Sequence, residues 1–292
     1  MNSRLKNNKF ARLIAVAAVV LFSFSVAQAQ SECDDFGIWT SLNASKKLTD
    51  RLKIGFEGEL RSIEGVSQMD RRSIGVDFSY DILSWLKADI GYIYIQSHNA
   101  EEKKIKDFVG LDNDNNEIYS YNIDRSYWEQ RDRLVASLSA SWKIGRVKFS
   151  LRERVQYQYT HSALVYEDQY RPFQKDSDDP NSEYITNDDP NDPYKPTKSE
   201  AELKDAKHNT TLRSRLTAKW DIKKCPVTPF ASVELFTRLD KWQFHDKLRY
   251  RIGAEYKIDK DNEISLYYLY QDNHSSSSPA IHAIGVGYSF DL

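Results

Sequence analysis

The sequence has 292 residues and a formal net charge of −2, with 29% charged, 40% hydrophobic and 13% aromatic side chains. No apolar stretch reaches the roughly 20 residues of a membrane-spanning helix, so the composition excludes a helical membrane protein. The many aromatic and β-branched residues exclude a disordered chain. A large soluble β protein and a membrane β-barrel remain.

The N-terminal segment predicts export from the cytoplasm. Four basic residues precede an apolar run over residues 13–26, which ends in Ala27-Gln28-Ala29, the small-x-small pattern of a signal-peptidase site. We therefore expect residues 1–29 to be a cleaved signal peptide and residues 30–292 to form one domain. Disulfides persist in the exported compartment, so a bridge between Cys33 and Cys225 is allowed.

From residue 52 onwards, apolar and polar side chains alternate in ten segments. In the first of these, Leu52, Ile54 and Phe56 alternate with Lys53 and Glu57. This period of two is typical of β-strands with one apolar and one polar face. The pattern predicts an all-β protein, and we interpret it as a transmembrane antiparallel up-and-down β-barrel of 10–12 strands.

The connections between these segments fall into a short class and a long class. Bacterial outer-membrane barrels have short periplasmic turns and long extracellular loops, and a soluble sandwich has no reason to sort its connections in this way. We therefore predict periplasmic turns at the short connections and surface loops at the long ones. The short turns are 81–85, 145–146, 223–226 and 259–262, and the long links are 64–70, 99–125, 162–207, 239–246 and 273–280.

Aromatic residues and the C-terminus favour the same location. Trp142 and Trp220 lie beside short turns, and Tyr pairs such as Tyr157 with Tyr159 lie near the long links, as in the two aromatic girdles of a membrane barrel. The final residues 286–292 are similar to the C-terminal assembly signal of such barrels. We expect localisation in the bacterial outer membrane, contact with its lipid, and recognition of the last strand by the barrel-assembly machinery.

The number of strands is a difficulty for this interpretation. Residues 36–44 read as one more strand, joined to the next by a tight turn over residues 46–50, which gives eleven. Single-chain bacterial barrels have even numbers of strands. Either residues 36–44 do not span the wall, which leaves ten strands, or a long link contains a further strand, which gives twelve.

Several segments of the chain resemble one family of outer-membrane barrels, catalogued as domain of unknown function 2490. The resemblance covers nearly the whole mature chain. It implies a β-barrel and brings no activity, because the family has no established catalytic or binding residues. The segments are Phe36-Gly37-Ile38-Trp39-Thr40, the hairpin from Lys47-Leu48-Thr49 to Glu59-Leu60-Arg61, the run from Pro229 to Phe236, Arg249-Tyr250-Arg251-Ile252-Gly253, and Gly285-Val286-Gly287-Tyr288.

The inward-facing side of the predicted strands carries more arginine than acid. The Arg-x-Arg pairs are Arg131 with Arg133, Arg152 with Arg154, Arg213 with Arg215, and Arg249 with Arg251. The opposing acids are Glu57, Glu59, Asp77, Asp89, Glu234 and Glu255. Two interpretations stay open: a ladder of ion pairs that fills the lumen of a structural or surface-interaction barrel, and a narrow pore that favours small anionic solutes.

An enzyme is the alternative function, because a histidine near the outer rim can activate a hydroxyl in a lipase or protease. The six histidines, however, complete no recognisable triad in the sequence, so we assign no catalytic residue. No motif predicts a cofactor, a metal site or nucleic acid binding. Glu153 does not fit the pattern, since it falls on the lipid-facing side of its strand and calls for a bulge or an interfacial position. The histidines are His98, His161, His208, His245, His274 and His282.

Overall fold

The structure is a computed structural model, and it describes residues 35–111, 117–170, 196, 198–273 and 280–292. These residues form fifteen strands and one 3₁₀ turn at Glu64–Val66. No helix among them is long and apolar enough to cross a membrane. The predicted signal peptide and Cys33 lie outside the described residues, so cleavage and the disulfide stay predictions.

The chain divides into two compact units. The first contains Arg131–Tyr159, His208–Leu292 and the described residues up to Gln96, and the second contains Ser97–Gln130 and the described part of Thr160–Lys207. The strands, in chain order, are β1 (Asp35–Lys47), β2 (Leu52–Ile63), β3 (Gln68–Leu83), β4 (Leu86–Asn99), β5 (Glu102–Leu111), β6 (Glu117–Asp124), β7 (Tyr127–Ile144), β8 (Val147–Thr160), β9 (Ala163–Tyr170), β10 (Lys198–Lys204), β11 (Lys207–Trp220), β12 (Val227–Arg238), β13 (Gln243–Lys257), β14 (Asn262–Asn273) and β15 (Ile281–Asp291).

The first unit is a closed barrel, which confirms the predicted fold class. Its eleven described strands follow the order β1-β15-β14-β13-β12-β11-β8-β7-β4-β3-β2. Residues 36–44 lie in β1, a full member of the wall that pairs antiparallel with β2 and parallel with β15. Neither the ten-strand nor the twelve-strand alternative holds.

The parallel contact between β1 and β15 is where the barrel departs from the expected antiparallel pattern. It runs from Asp35 opposite Ile281 to Ser45 opposite Asp291. When strands alternate in direction around a closed sheet, an odd number brings two strands of the same direction together once. We call this contact the seam.

The predicted short connections are tight turns in the structure. Each joins two neighbouring strands of the barrel, between residues 83 and 86, 144 and 147, 220 and 227, and 257 and 262. Gly145 has a φ of 60°, a left-handed conformation that glycine adopts without steric cost. The short connections in the sequence therefore identified these turns correctly. Two of the predicted long links, 64–70 and 239–246, are wrong, because β2 ends at Ile63 with β3 beginning at Gln68, and β12 ends at Arg238 with β13 beginning at Gln243.

The two faces of the wall differ as the alternation predicted. Ile90, Ile252 and Leu134 project outward and are mostly exposed, whereas the polar Glu234 and Gln271 face inward and are buried. Glu153, on the outward side, accepts a hydrogen bond of 2.6 Å from the Ser214 hydroxyl of β11. The sequence called for a bulge or an interfacial position at Glu153. The structure instead gives its carboxylate a serine partner on the neighbouring strand.

The second unit contains a sheet in the order β10-β9-β6-β5, where the sequence predicted two long surface loops. Tyr121 of β6 stacks on Tyr170 of β9 with ring centroids 4.7 Å apart, and the Lys103 ammonium lies 3.9 Å from the Tyr121 ring centroid. The pairing of β5 with β6 has two register shifts, which break the alternation of side chains. Those irregularities explain why the alternation did not reveal β5 and β6.

Candidate functional site

A cavity of about 180 Å³ lies inside the barrel and is lined mainly by arginine. We call it the basic chamber. Among the described residues, nine guanidinium groups and two carboxylates line it, from Arg61, Arg71, Arg133, Arg152, Arg154, Arg213, Arg215, Arg249, Arg251, Glu57 and Glu59.

The strand registers bring these arginines together. On the inner face, Glu234 of β12 lies opposite Arg215 of β11 on one side and Arg249 of β13 on the other. Because directly opposed residues of a sheet project to the same face, residues from three strands meet at one level of the lumen.

Glu234 is the centre of an ion-pair cluster. Its side chain is 1% exposed, and its Oε1 accepts a hydrogen bond from Arg152 Nη2 at 2.8 Å. Its Oε2 accepts one from Arg213 Nη2 at 2.8 Å and lies 3.6 Å from Arg249 Nη1. A buried carboxylate with several guanidinium partners is the filled-lumen arrangement that the sequence allowed, so part of the ion-pair ladder exists.

A second cluster joins an ion pair to an aromatic ring. Arg61 Nε and Nη2 donate to the two carboxylate oxygens of Glu59 at 2.7 and 2.9 Å, a bidentate pair. The Arg61 guanidinium carbon also lies 3.8 Å from the centroid of Trp39, and that of Arg249 lies 4.9 Å from it. The ring packs against Leu269 and Ala283. Two cations thus share one buried indole.

Two arginines also donate to neutral side chains. Arg133 donates Nε and Nη2 to the Gln158 amide oxygen at 3.2 and 2.6 Å. Arg249 donates the same pair of atoms to the Gln271 amide oxygen at 3.0 and 2.5 Å. An amide oxygen satisfies a donor but supplies no negative charge, so these contacts leave the chamber positive.

Four arginines of the chamber have an unsatisfied donor. In each of them the Nε atom is buried and has no hydrogen-bond partner among the described residues. Buried donors on charged groups are rarely left without a partner. The atoms belong to Arg71, Arg152, Arg154 and Arg251.

A second cavity, of about 240 Å³, adjoins the basic chamber and is more acidic. Asp77 and Asp89 line it, and Asp89 accepts hydrogen bonds from Ser79 at 2.6 Å and Ser137 at 3.2 Å and pairs with Lys87 at 2.9 Å. Both cavities are lined by Glu57, Ile93, Arg152, Arg154 and Arg215, which therefore form a partition across the lumen.

The structure places most of the residues singled out in the sequence at these cavities. Of the eight arginines, all except Arg131 line the basic chamber. Glu255 lines neither cavity and is paired instead with Lys219 Nζ, at 2.5 Å. Sequence reasoning missed Arg61 and Arg71, although both lie on the inward side of their strands and face each other across β2 and β3.

Three histidines contact aromatic side chains, and the His161 amide donates a hydrogen bond of 3.0 Å to the Gln130 carbonyl oxygen. His282 Nδ1 lies 2.5 Å from the Tyr268 hydroxyl, and its ring centroid lies 5.0 Å from that of Tyr270. His98 contacts Trp128, and His208 stacks on Tyr157. Such contacts are typical of an aromatic girdle. His274 and the side chain of His245 lie outside what the structure describes.

Comparison with known proteins identifies a family. The sequence profile of a family described as "Protein of unknown function (DUF2490)" matches residues 36–281. No curated protein matches the chain. Among solved structures, the translocator domain of autotransporter NalP from Neisseria meningitidis is similar at 9% sequence identity, with 94% of this chain and 95% of that chain covered and a TM-score of 0.45.

Proposed function

The chain belongs to the family of proteins of unknown function DUF2490, and from this premise we propose that it is a bacterial outer-membrane β-barrel whose lumen is a narrow, anion-favouring pore. The outward face of the wall supports the membrane location. Its large apolar side chains would be an unusually extensive exposed patch on a water-soluble protein. In a bilayer they contact lipid, and the alternating polar residues face the lumen.

The excess of arginine over carboxylate in the basic chamber is the observation that supports the anion preference. Rings of arginine favour anions in pores, because a cation entering the lumen meets repulsion that the few carboxylates do not offset. The partition between the two cavities contains Arg152, Arg154 and Arg215, so an anion that moves from one cavity to the other would meet these three guanidinium groups.

Planar-bilayer recording tests this proposal. In a KCl gradient, the reconstituted protein should give single-channel steps whose reversal potential indicates chloride preference. Arg215→Gln should reduce that preference, because it removes a charge from the partition. Lys219→Gln removes a charge that lines neither cavity, so it should leave the preference unchanged. A membrane without steps, or steps without anion preference, would contradict the pore.

A structural or surface-interaction barrel is the second candidate function. The ion-pair cluster at Glu234 and the Trp39 side chain fill part of the lumen, as in small barrels whose interiors are occupied by side chains. This candidate predicts a folded, membrane-inserted protein that gives no steps in the same recording.

A further inference from the structure

Eight of the nine arginines in the basic chamber fall into two groups according to the partner of the Nε–H donor. In Arg61, Arg133, Arg213 and Arg249, the edge formed by Nε and Nη2 donates to a side-chain oxygen of this chain. In the second group, the Nε atom is buried without such a partner. That group comprises Arg71, Arg152, Arg154 and Arg251.

These four arginines share one cavity. All four residues line the basic chamber, so one occupant of the cavity can contact all four side chains. An unpaired donor on a buried charged group carries a desolvation cost that a bound ligand or ordered water relieves. The surplus positive charge of the chamber favours an anion over water as that occupant.

The geometry of the guanidinium donors indicates what kind of anion the chamber would bind. The Nε and Nη2 edge of a guanidinium forms two parallel hydrogen bonds to two oxygens of one group, as Arg61 does with Glu59, and a spherical halide cannot accept them in this way. A volume of about 180 Å³ exceeds the share of several water molecules, about 30 Å³ each, and so has room for a five-atom oxyanion.

We propose that the basic chamber binds a divalent tetrahedral oxyanion of the phosphate type, through the guanidinium groups of Arg71, Arg154 and Arg251, whose Nε donors have no partner among the described residues. The inference rests on the proposed function, because it names the anion class that the lumen favours. Arg152 contributes its remaining donor from the partition, while its Nη2 stays on Glu234.

Calorimetric titration of the full folded barrel in detergent micelles tests this site. Inorganic phosphate should bind at least about tenfold more tightly than chloride at equal ionic strength. A titration with glycerol 3-phosphate distinguishes the source of the phosphate group. Tighter binding of inorganic phosphate identifies a free ion as the ligand, and tighter binding of the ester identifies an organic phosphate; both outcomes support the site.

Two neighbouring arginines provide a matched pair of variants. Arg71 faces the lumen, whereas Arg72 is opposite the outward-facing Leu60 and is exposed. Arg71→Gln should weaken phosphate binding by about tenfold or more, as expected for loss of a charge-assisted hydrogen bond, and Arg72→Gln should not change it. Equal effects of the two variants, or equal affinity for phosphate and chloride, would overturn the inference.

A charge-preserving variant separates binding from folding. Arg251→Lys keeps the positive charge but loses the two-donor edge, so it should remain folded and lose selectivity for phosphate over chloride. The proposed pore and the proposed phosphate site can be disproved independently of each other. Phosphate binding without conductance would reject the pore and keep the site, whereas conductance without phosphate binding would reject the site and keep the pore.

Discussion

Glu234 has 1% of its side chain exposed and is contacted by guanidinium groups from β8, β11 and β13. Each contact links a different pair of strands through the lumen, in addition to the backbone ladder. The carboxylate therefore joins its two neighbouring strands to β8, whose Arg152 is distant in the sequence. Its loss would leave several buried cations without a common counter-charge.

Glu234→Gln should accordingly lower the free energy of unfolding by about 3–5 kcal/mol, because glutamine keeps the volume but removes the charge. Urea titration followed by tryptophan fluorescence measures the change. Glu255→Gln is the control, since its partner Lys219 is 40% exposed and such a pair contributes less than about 1 kcal/mol. Similar losses in both variants would show that the Glu234 cluster has no special role.

For single residues, the sequence predicted on which face of the wall a side chain lies, but not which side chain it contacts. Alternation oriented the arginine pairs correctly, and it would also have oriented Arg71. The contacts of Glu234 depend on the registers of three strand pairs, and the Glu153 contact with Ser214 depends on the pairing of β8 with β11. Alternation fixes the face on which a side chain lies, but it does not say which residue of the neighbouring strand lies opposite.

At the scale of the elements, Gly37 of β1 lies very close to the backbone of β2. A Cβ on Gly37 would lie 1.9 Å from the carbonyl oxygen of Ser62, next to the register shift between Arg61 and Ser62. The Ser62 hydroxyl also accepts a hydrogen bond of 3.0 Å from the Ile38 amide. Only a glycine permits this approach without moving backbone.

Gly37→Ala should therefore destabilise the barrel by about 1–3 kcal/mol, the usual cost of forcing an extra carbon into a packed site. Gly58→Ala is the matched control on β2, because a Cβ there meets no atom within 4 Å. Thermal unfolding monitored by circular dichroism compares the two. Equal midpoints would mean that the Ser62 carbonyl moves aside freely.

The second sheet should respond to acid. The Lys104 ammonium, 2.8 Å from Asp124, holds the pKa of that carboxyl below its usual range, and the Ser199 hydroxyl and Arg125 do the same for the pKa of Asp168. A lowered folded-state pKa stabilises the sheet at neutral pH. The contribution is lost as the pH falls below the ordinary aspartate pKa of about 4 and through the folded values.

Hydrogen exchange of β6 and β9, corrected for the intrinsic pH dependence, should thus show less protection at pH 3 than at pH 7. Replacing Asp124 and Asp168 together by asparagine removes both titrating groups. That variant should show equal protection at the two pH values. An unchanged acid response in the variant would assign the effect to other carboxyls.

On the scale of the whole molecule, the proposed bilayer makes the two units respond differently to the same substitution. Ile252 on the barrel wall is 64% exposed and Ile105 in the second sheet is 66% exposed. Arginine at a mid-membrane position of a barrel costs about 2–4 kcal/mol, and far less where water is available. Ile252→Arg should therefore slow or prevent folding into lipid vesicles, and Ile105→Arg should not.

Gel mobility of the folded and unfolded bands after mixing with vesicles measures this difference. Equal yields for the two variants would argue against a lipid-facing wall. At this scale the sequence predicted the fold class, the short turns and the existence of eleven strand-like segments. It did not predict that all eleven form the wall, because the expectation of an even number overrode the alternation in residues 36–44.

The seam gives this barrel a mechanical and kinetic property of its own. Every other neighbouring pair is drawn together by a chain connection, whereas β1 and β15 stand at opposite ends of the sequence. Loop closure over that distance has the largest entropic cost, so the ring closes last. We expect a pulling force to open the cylinder along the same line, with the pairing between the other strands still intact.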